Sequence, residues 1–420
     1  MPSRVLRRRA ATAFGIYGSA LLGFAATVVA ARELSKPDFA RFALVFGTTS
    51  LLQLFVDLTI DEVVVKYGNR YAARGQWGRF HRLFRIGLTV KMAGGAAGSL
   101  AVVGAALLAP WIWTTGGLRG AMLIAALVPF VQQPEGMAGA VLLVRNRYDL
   151  RGLLLLWSMA LRFVAIVVGA RLGLLALFGA VVAAQVASTL TVGAVALAVY
   201  RRYPASAPEA LAEDAPEIRR FAIQSTVASG LTSLRTSLPM VLVGVVATPS
   251  QTANFRAAQA PATAAASLSA PARLVLLAEQ TRDVEHGRSA RAYALLARYI
   301  GATAALACVV TPLAWWWMPT LVRWVYRAKY VPAADAFRVM LLAAMVQLVF
   351  AWTKSFPVSI GRPGLRTLGQ ALEIAVLVPA VLVLAHYYGA TGAAGGVLAG
   401  AVALAAFWSF GLVGVRRRLA

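Results

Sequence analysis

The residues of this chain best placed to do chemistry are charges set inside apolar runs. Arg162 stands ten residues into the run 152–170, and Arg235 fourteen residues into the run 221–247. At about 1.5 Å per residue neither reaches the end of its run. An ionised group near the centre of a membrane helix costs roughly 2.5–3.5 kcal/mol on insertion scales, so it faces a wet interior or a partner. A guanidinium presents its donors as a planar fork that fits phosphate or carboxylate. Anion binding is therefore one role for both arginines. The other is structural pairing, for Arg162 with Glu135, which also lies inside its run, 120–143. Arg41, Arg256 and Arg338 lie within about 6 Å of the outer ends of their runs, and Lys91, Arg273 and Lys354 about 6–8 Å from the inner ends. At such depths a cation can line a cavity or snorkel to the interface as an anchor. Asp57, Asp61 and Glu62, near the inner end of the second run, can bind a coupling ion, pair with arginine or meet water. Glu135 shares this ion-binding or gating reading.

Covalent and metal chemistry find little support. The single cysteine, Cys308, cannot form an intramolecular disulfide and is expected as a small buried hydrophobe. His81, His286 and His386 stand far apart, outside any metal-ligand spacing. No Gly-x-x-x-x-Gly-Lys-Ser/Thr phosphate loop occurs. No catalytic residue, metal or cofactor is expected.

The elements that must position these charges follow from composition. Of 420 residues, 60% are hydrophobic and 14% charged, against roughly 25% charged in soluble domains. Mean hydropathy is +0.70. Apolar runs fall at 11–31, 39–65, 86–112, 120–143, 152–170, 173–199, 221–247, 253–277, 299–322, 334–358, 368–387 and 394–414. The expected fold is an all-α polytopic membrane protein of about twelve transmembrane helices. The first run is longer than the h-region of a signal peptide and reads as the first span.

The net charge of +25, from 41 Lys+Arg and 16 Asp+Glu, would suggest nucleic acid in a soluble chain. Its distribution says otherwise. With both termini cytoplasmic, the inner segments hold 26 of the basic residues and the outer segments seven. That asymmetry is a topology signal, so nucleic acid is not an expected partner. The longest polar stretch, 201–220, separates six runs from six. The expected organisation is a six-helix lobe at 1–200, a cytoplasmic linker at 201–220 and a second six-helix lobe at 221–420. Asp38-Phe-Ala-Arg-Phe42 and Gln251-Thr-Ala-Asn-Phe255 enter corresponding runs of the two lobes. Pro239, Pro261 and Pro271 are expected to kink their helices. Gly94-x-x-x-Gly98 and Gly396-x-x-x-Gly400 are expected to let helices approach closely.

Two segments carry a family resemblance. Ala31-Arg-Glu-Leu-Ser-Lys-Pro-Asp-Phe-Ala-Arg-Phe-Ala-Leu44, continuing through Leu51-Leu-Gln-Leu-Phe-Val-Asp-Leu58, resembles the first outer loop and second helix of the polysaccharide (O-antigen type) flippases of the multidrug/oligosaccharidyl-lipid/polysaccharide (MOP) superfamily. Val322-Arg-Trp-Val-Tyr-Arg-Ala-Lys-Tyr-Val-Pro-Ala-Ala334, leading to Ile360-Gly-Arg-Pro363, is similar to their loop and tenth helix. The resemblance implies two six-helix lobes around a central cavity that opens alternately to either side. It implies a polyprenyl-diphosphate-linked oligosaccharide as cargo, moved from the cytoplasmic to the outer leaflet for cell-surface polysaccharide export. Arg162, Arg235, Arg41, Arg256, Arg273 and Lys91 would make the cavity cationic, with Arg162 and Arg235 gripping the head group together from the two lobes. Asp57, Glu62 and Glu135 would serve an ion or a gate. The implied setting is the cytoplasmic (inner) membrane, beside a polysaccharide polymerase and export machinery. Two alternatives stay open: a drug or ion-coupled exporter of the same superfamily, and a membrane polymerase or glycosyltransferase.

Overall fold

The structure is a computed structural model that describes residues 2–56, 59–268, 280, 289–359 and 363–419. Asp57, Pro271, Arg273 and His286 lie outside the described residues. Among those described there is no strand. The helices are α1 (Pro2–Glu33), α2 (Lys36–Val56), α3 (Ile60–Ala73), α4 (Trp77–Ile112), α5 (Arg119–Ala125), α6 (Leu127–Val144), α7 (Tyr148–Leu172), α8 (Leu174–Tyr200), α9 (Ala215–Val246), α10 (Pro249–Leu268), α11 (Ser289–Tyr326), α12 (Ala334–Val349), the short α13 (Phe356–Ser359) and α14 (Pro363–Leu419). Short 3₁₀ turns at Ala328–Ala333 and Ala351–Lys354 flank α12.

Among the described residues, nine helices are long and apolar enough to cross a membrane, which makes this a multi-pass membrane protein. One of the nine, Gly364–Gly411, takes in both of the last two apolar runs. Of the expected twelve, the second run and α10 fall outside the nine; in α10, Gln251, Asn254, Arg256 and Gln259 interrupt the apolar character. The second run divides at Thr59 into α2 and α3. In α3 the buried set Val63, Val64, Tyr67 and Tyr71 recurs with helical period, so one face packs and the other stays polar.

Within α14 the helical ladder breaks at Gly389, with φ 57° and ψ −132°. An added Cβ there would lie 2.7 Å from the Gln251 side chain, which meanwhile accepts a hydrogen bond from the Ala390 amide at 3.0 Å. Gly389→Ala combines unfavourable backbone with a clash, and is expected to destabilise the protein by about 1–3 kcal/mol. A fall in melting temperature in detergent checks this, and an unchanged value would contradict it.

The chain forms two compact units. The first comprises residues 1–34, 44–112 and 116–233, the second 35–43, 113–115 and 234–420, so the change of unit falls within α9. In the first unit α1 packs along α7, α7 along α8, and α6 against α4 and α8. Its core gathers Tyr67, Tyr71, Phe80, Met137, Val141 and Tyr203. The segment 201–217 is strapped to the rest of this unit. Arg70 grips Glu217 with two hydrogen bonds of 2.8 and 2.9 Å. Arg79 reaches Glu213 and Asp214 at 3.3 and 3.4 Å, and the Tyr71 hydroxyl donates to Asp214 at 2.7 Å. Tyr203 donates to the Val141 carbonyl at 2.9 Å. Burial pushes its phenol up to about 12, so it remains a donor at neutral pH.

His81 belongs to the same structural layer. Its Nε2 lies 3.0 Å from the Pro204 carbonyl, which can only accept, so Nδ1 accepts from the Tyr200 hydroxyl 2.6 Å away. In the second unit α12 packs against α14, α11 and α10. Trp352 meets Trp408 and Phe356 edge-on, with ring centroids 5.5 and 5.9 Å apart. Cys308 is exposed on α11, against the expectation of a buried thiol, because that stretch of the helix turns an unpacked apolar face outward.

Candidate functional site

Each unit holds a pocket among its helices that polar and charged side chains line together with apolar ones. In the first unit the pocket holds about 300 Å³ and is lined from α3, α4 and α6 by Asp61, Lys91, Gln133 and Glu135, with Arg151 and Ser158 from α7. Lys91 reaches Asp61 at 3.0 Å, with its side chain only 5% exposed. The expected cavity cation is thus held by a carboxylate one helix away.

Glu135 sits in a dense network. One of its oxygens, Oε1, accepts from Gln185 Nε2 at 2.8 Å, Ser188 Oγ at 2.6 Å and Thr189 Oγ1 at 3.0 Å. Ser188 also lies 2.5 Å from Ser158; having one proton, which the carboxylate takes, it accepts from Ser158. Arg162 donates to Gln185 Oε1 at 2.8 Å. Arg162 and Glu135 are therefore brought together, with the Gln185 amide relaying between them in place of a direct ion pair.

The pocket of the second unit is smaller, about 80 Å³, and is lined by Arg235, Gln347, Arg366, Gln370, Glu373 and Trp408. Arg235 Nη1 stands 3.5 Å from Glu373 Oε1, the two side chains being 10% and 1% exposed. Small residues bring the last part of α14 against Glu373. A Cβ at Gly400 would lie 3.1 Å from the Glu373 carbonyl and 2.9 Å from Leu377, and one at Gly396 would lie 2.5 Å from the Val381 backbone. In α4 Gly95 makes a tight approach, where a Cβ would lie 2.5 Å from Gln133 Cγ.

The other charges read from the sequence are arranged separately. Arg41 pairs with Asp38 at 2.7 Å at the start of α2, with about a third of each side chain exposed. Arg256 donates to Gln259 at 3.2 Å, and Gln259 donates on to the Thr236 carbonyl of α9 at 3.2 Å. The exposed Glu62 accepts from the Ser225 hydroxyl. Arg338 pairs with Asp335 at 2.8 Å and lies over the Trp315 ring. Among the described residues no group of three or more His, Cys, Asp or Glu gathers as a metal site.

Sequence reasoning missed Glu373, Gln185 and Gln133. Glu373 stands five residues into the run 368–387, the depth of Lys91 in its own run, where a charge can line a cavity or reach the interface. The two glutamines carry no charge signal.

These geometries separate two cations by stability. Lys91→Ala strips Asp61 of a direct charged partner and is expected to cost about 1.5–3 kcal/mol. Arg162→Ala is expected to cost about 1 kcal/mol, since the Gln185 amide can reorient toward remaining donors. Melting curves of the two variants check the order, and a larger loss for Arg162→Ala would contradict it.

The chain was compared with known proteins. Residues 5–277 match the family described as polysaccharide biosynthesis protein. No curated protein matches the sequence significantly. An inward-facing multidrug resistance MATE transporter of the MOP superfamily superposes with a TM-score of 0.76 at 14% identity, covering 95% of this chain and 94% of that one. The lipid II flippase MurJ in an inward closed conformation gives 0.74 at 11% identity, covering 96% and 87%. A MOP transporter from Pyrococcus furiosus, described as having a binding pocket of reverse polarity that suggests a different function, gives 0.61 at 14% identity, covering 99% and 95%. At such identities the likeness establishes the fold of these transporters. With the family match running over well more than half of its length, the chain belongs to the polysaccharide biosynthesis protein family.

Proposed function

We propose that this protein is a flippase that moves a polyprenyl-diphosphate-linked oligosaccharide from the cytoplasmic to the outer leaflet by alternating access, without covalent chemistry. The observation that carries the reading is Arg235, a guanidinium that lines the pocket of the second unit together with Arg366. Diphosphate oxygens and sugar hydroxyls are costly in hydrocarbon, and a polar path replaces the water that the bilayer withholds. A guanidinium fork is matched to phosphate oxygens. The setting is the inner membrane with both termini cytoplasmic, which the basic asymmetry of the segments supports. Polymerase and export machinery would receive the product.

A cation exporter needs an acidic site open to its cargo. Here Glu135 already accepts three hydrogen bonds on one oxygen, and Glu373 faces Arg235. The description of the Pyrococcus furiosus transporter supports the idea that pocket polarity varies on this fold. Binding of undecaprenyl diphosphate and of ethidium to the purified protein tests the reading. The diphosphate lipid is expected to bind, with affinity falling at least tenfold in Arg235→Gln, and ethidium is expected not to compete. Competition by ethidium, or indifference to Arg235→Gln, would overturn it.

A further inference from the structure

We propose that the pocket of the first unit is a subsite for a neutral sugar residue of the cargo, with Gln133 as its recognition donor. The proposal rests on the flippase reading above and names what one pocket contributes to it.

The first ground is charge balance. Among the described residues lining the pocket, two cations, Lys91 and Arg151, stand with two carboxylates, Asp61 and Glu135. An anion would meet the carboxylates and a cation would meet the two basic groups. A neutral polyol suits both, because each hydroxyl donates and accepts. The second unit differs: two arginines and one glutamate line its pocket, which favours an anionic group. Size points the same way. About 300 Å³ is many times the roughly 10–15 Å³ that one water needs, whereas the other pocket offers about 80 Å³.

The second ground is an amide without a partner. Gln133 is 3% exposed, lines the pocket, and its Nε2 makes no hydrogen bond. A buried donor left unpaired is unfavourable, and a turn of the terminal amide that brings the fully buried Nε2 to the pocket side would let an incoming hydroxyl oxygen satisfy it. The stem of Gln133 is held in place, packed where Gly95 has no Cβ, while the amide torsion beyond it stays free to turn. Gln53 and Gln132 add two further amides to the same wall. Amides paired with a balanced set of charges offer directional contacts to a polyol without a net field.

Competition binding to the protein in nanodiscs tests the subsite. The probes are undecaprenyl diphosphate and the same lipid carrying glucose, galactose or N-acetylglucosamine. The parent is expected to bind at least one glycosylated lipid tenfold or more tightly than the bare lipid. In Gln133→Met, which keeps the volume and removes the amide, that preference should fall below threefold. Affinity for the bare lipid should be unchanged, and the melting temperature equal or higher, because an unpaired donor has been removed. Gln132→Met gives an independent variant expected to weaken the preference in the same direction. Binding of the bare lipid with no preference for any sugar, or a preference that survives both substitutions, overturns the subsite alone and leaves the pocket as a water-filled cavity. A parent that binds none of the four lipids overturns the flippase reading and the subsite with it.

Discussion

Arg235→Ala is expected to lower stability by about 3 kcal/mol, near the low end for breaking a buried ion pair. The side chains of Arg235 and Glu373 are 10% and 1% exposed and stand 3.5 Å apart, so the loss removes a cation from beside a carboxylate that water hardly reaches. Arg366 lines the same pocket and moderates the cost. Affinity for the diphosphate lipid is expected to fall at least tenfold, about 1.4 kcal/mol or more. The Arg235→Ala/Glu373→Gln variant separates the two effects: removing both charges should restore most of the melting temperature and none of the lipid affinity. Arg235→Lys should keep the charge yet recover binding only in part, since the ammonium lacks the two-pronged donor geometry. Melting curves and lipid titrations on these four proteins read both quantities. Recovery of lipid binding in the double variant would show that Arg235 serves the fold and not the cargo.

A larger effect is expected from the membrane potential. Outward movement of a diphosphate carries negative charge down an inside-negative potential, at about 2.3 kcal/mol per charge per 100 mV. Two uncompensated charges gain roughly 4–5 kcal/mol, a shift of about three decades in the distribution between leaflets. Arg162 and Arg235 do not cancel this, because they stay with the protein while the cargo leaves. In proteoliposomes with a potassium diffusion potential and no other gradient, reversing the sign of the potential should reverse the direction of net translocation. A distribution indifferent to the potential would contradict electrical driving.

The depth of a charge within its apolar run was a readable signal. It singled out Arg162 and Arg235, and both lie in polar surroundings within membrane-spanning helices. The partners were harder to read. Gln185, which joins Arg162 to Glu135, is a neutral amide that hydropathy does not distinguish from other polar residues of a helix. The strap over 201–217 joins Arg70 and Arg79 to acids more than 130 positions away, a pairing that only the folded chain creates. As a sequence, the same segment reads as a polar spacer.

Helix boundaries failed where local backbone geometry decides them. The last two runs, 368–387 and 394–414, do form separate helical stretches, but the connection between them is a single glycine with positive φ, Gly389, and both stretches extend into 388–393. At the second run the break at Thr59 falls among Asp57, Asp61 and Glu62, a polar interruption of the apolar run that marks where α3 begins. The close approach at Gly396 and Gly400 was legible from spacing, whereas the contact of Gly95 in α4 with Gln133 of α6 was not.

The most direct test of the central claim is translocation by the purified protein. Undecaprenyl-diphosphate-linked oligosaccharide bearing a fluorescent sugar would be placed in both leaflets of proteoliposomes, and the pool exposed to an impermeant quencher followed over time under an applied potential. The account predicts that the accessible pool shifts in minutes with the parent protein and at least tenfold more slowly with Arg235→Gln, and that it stays fixed in protein-free vesicles. Equal rates with the parent and in protein-free vesicles would contradict it.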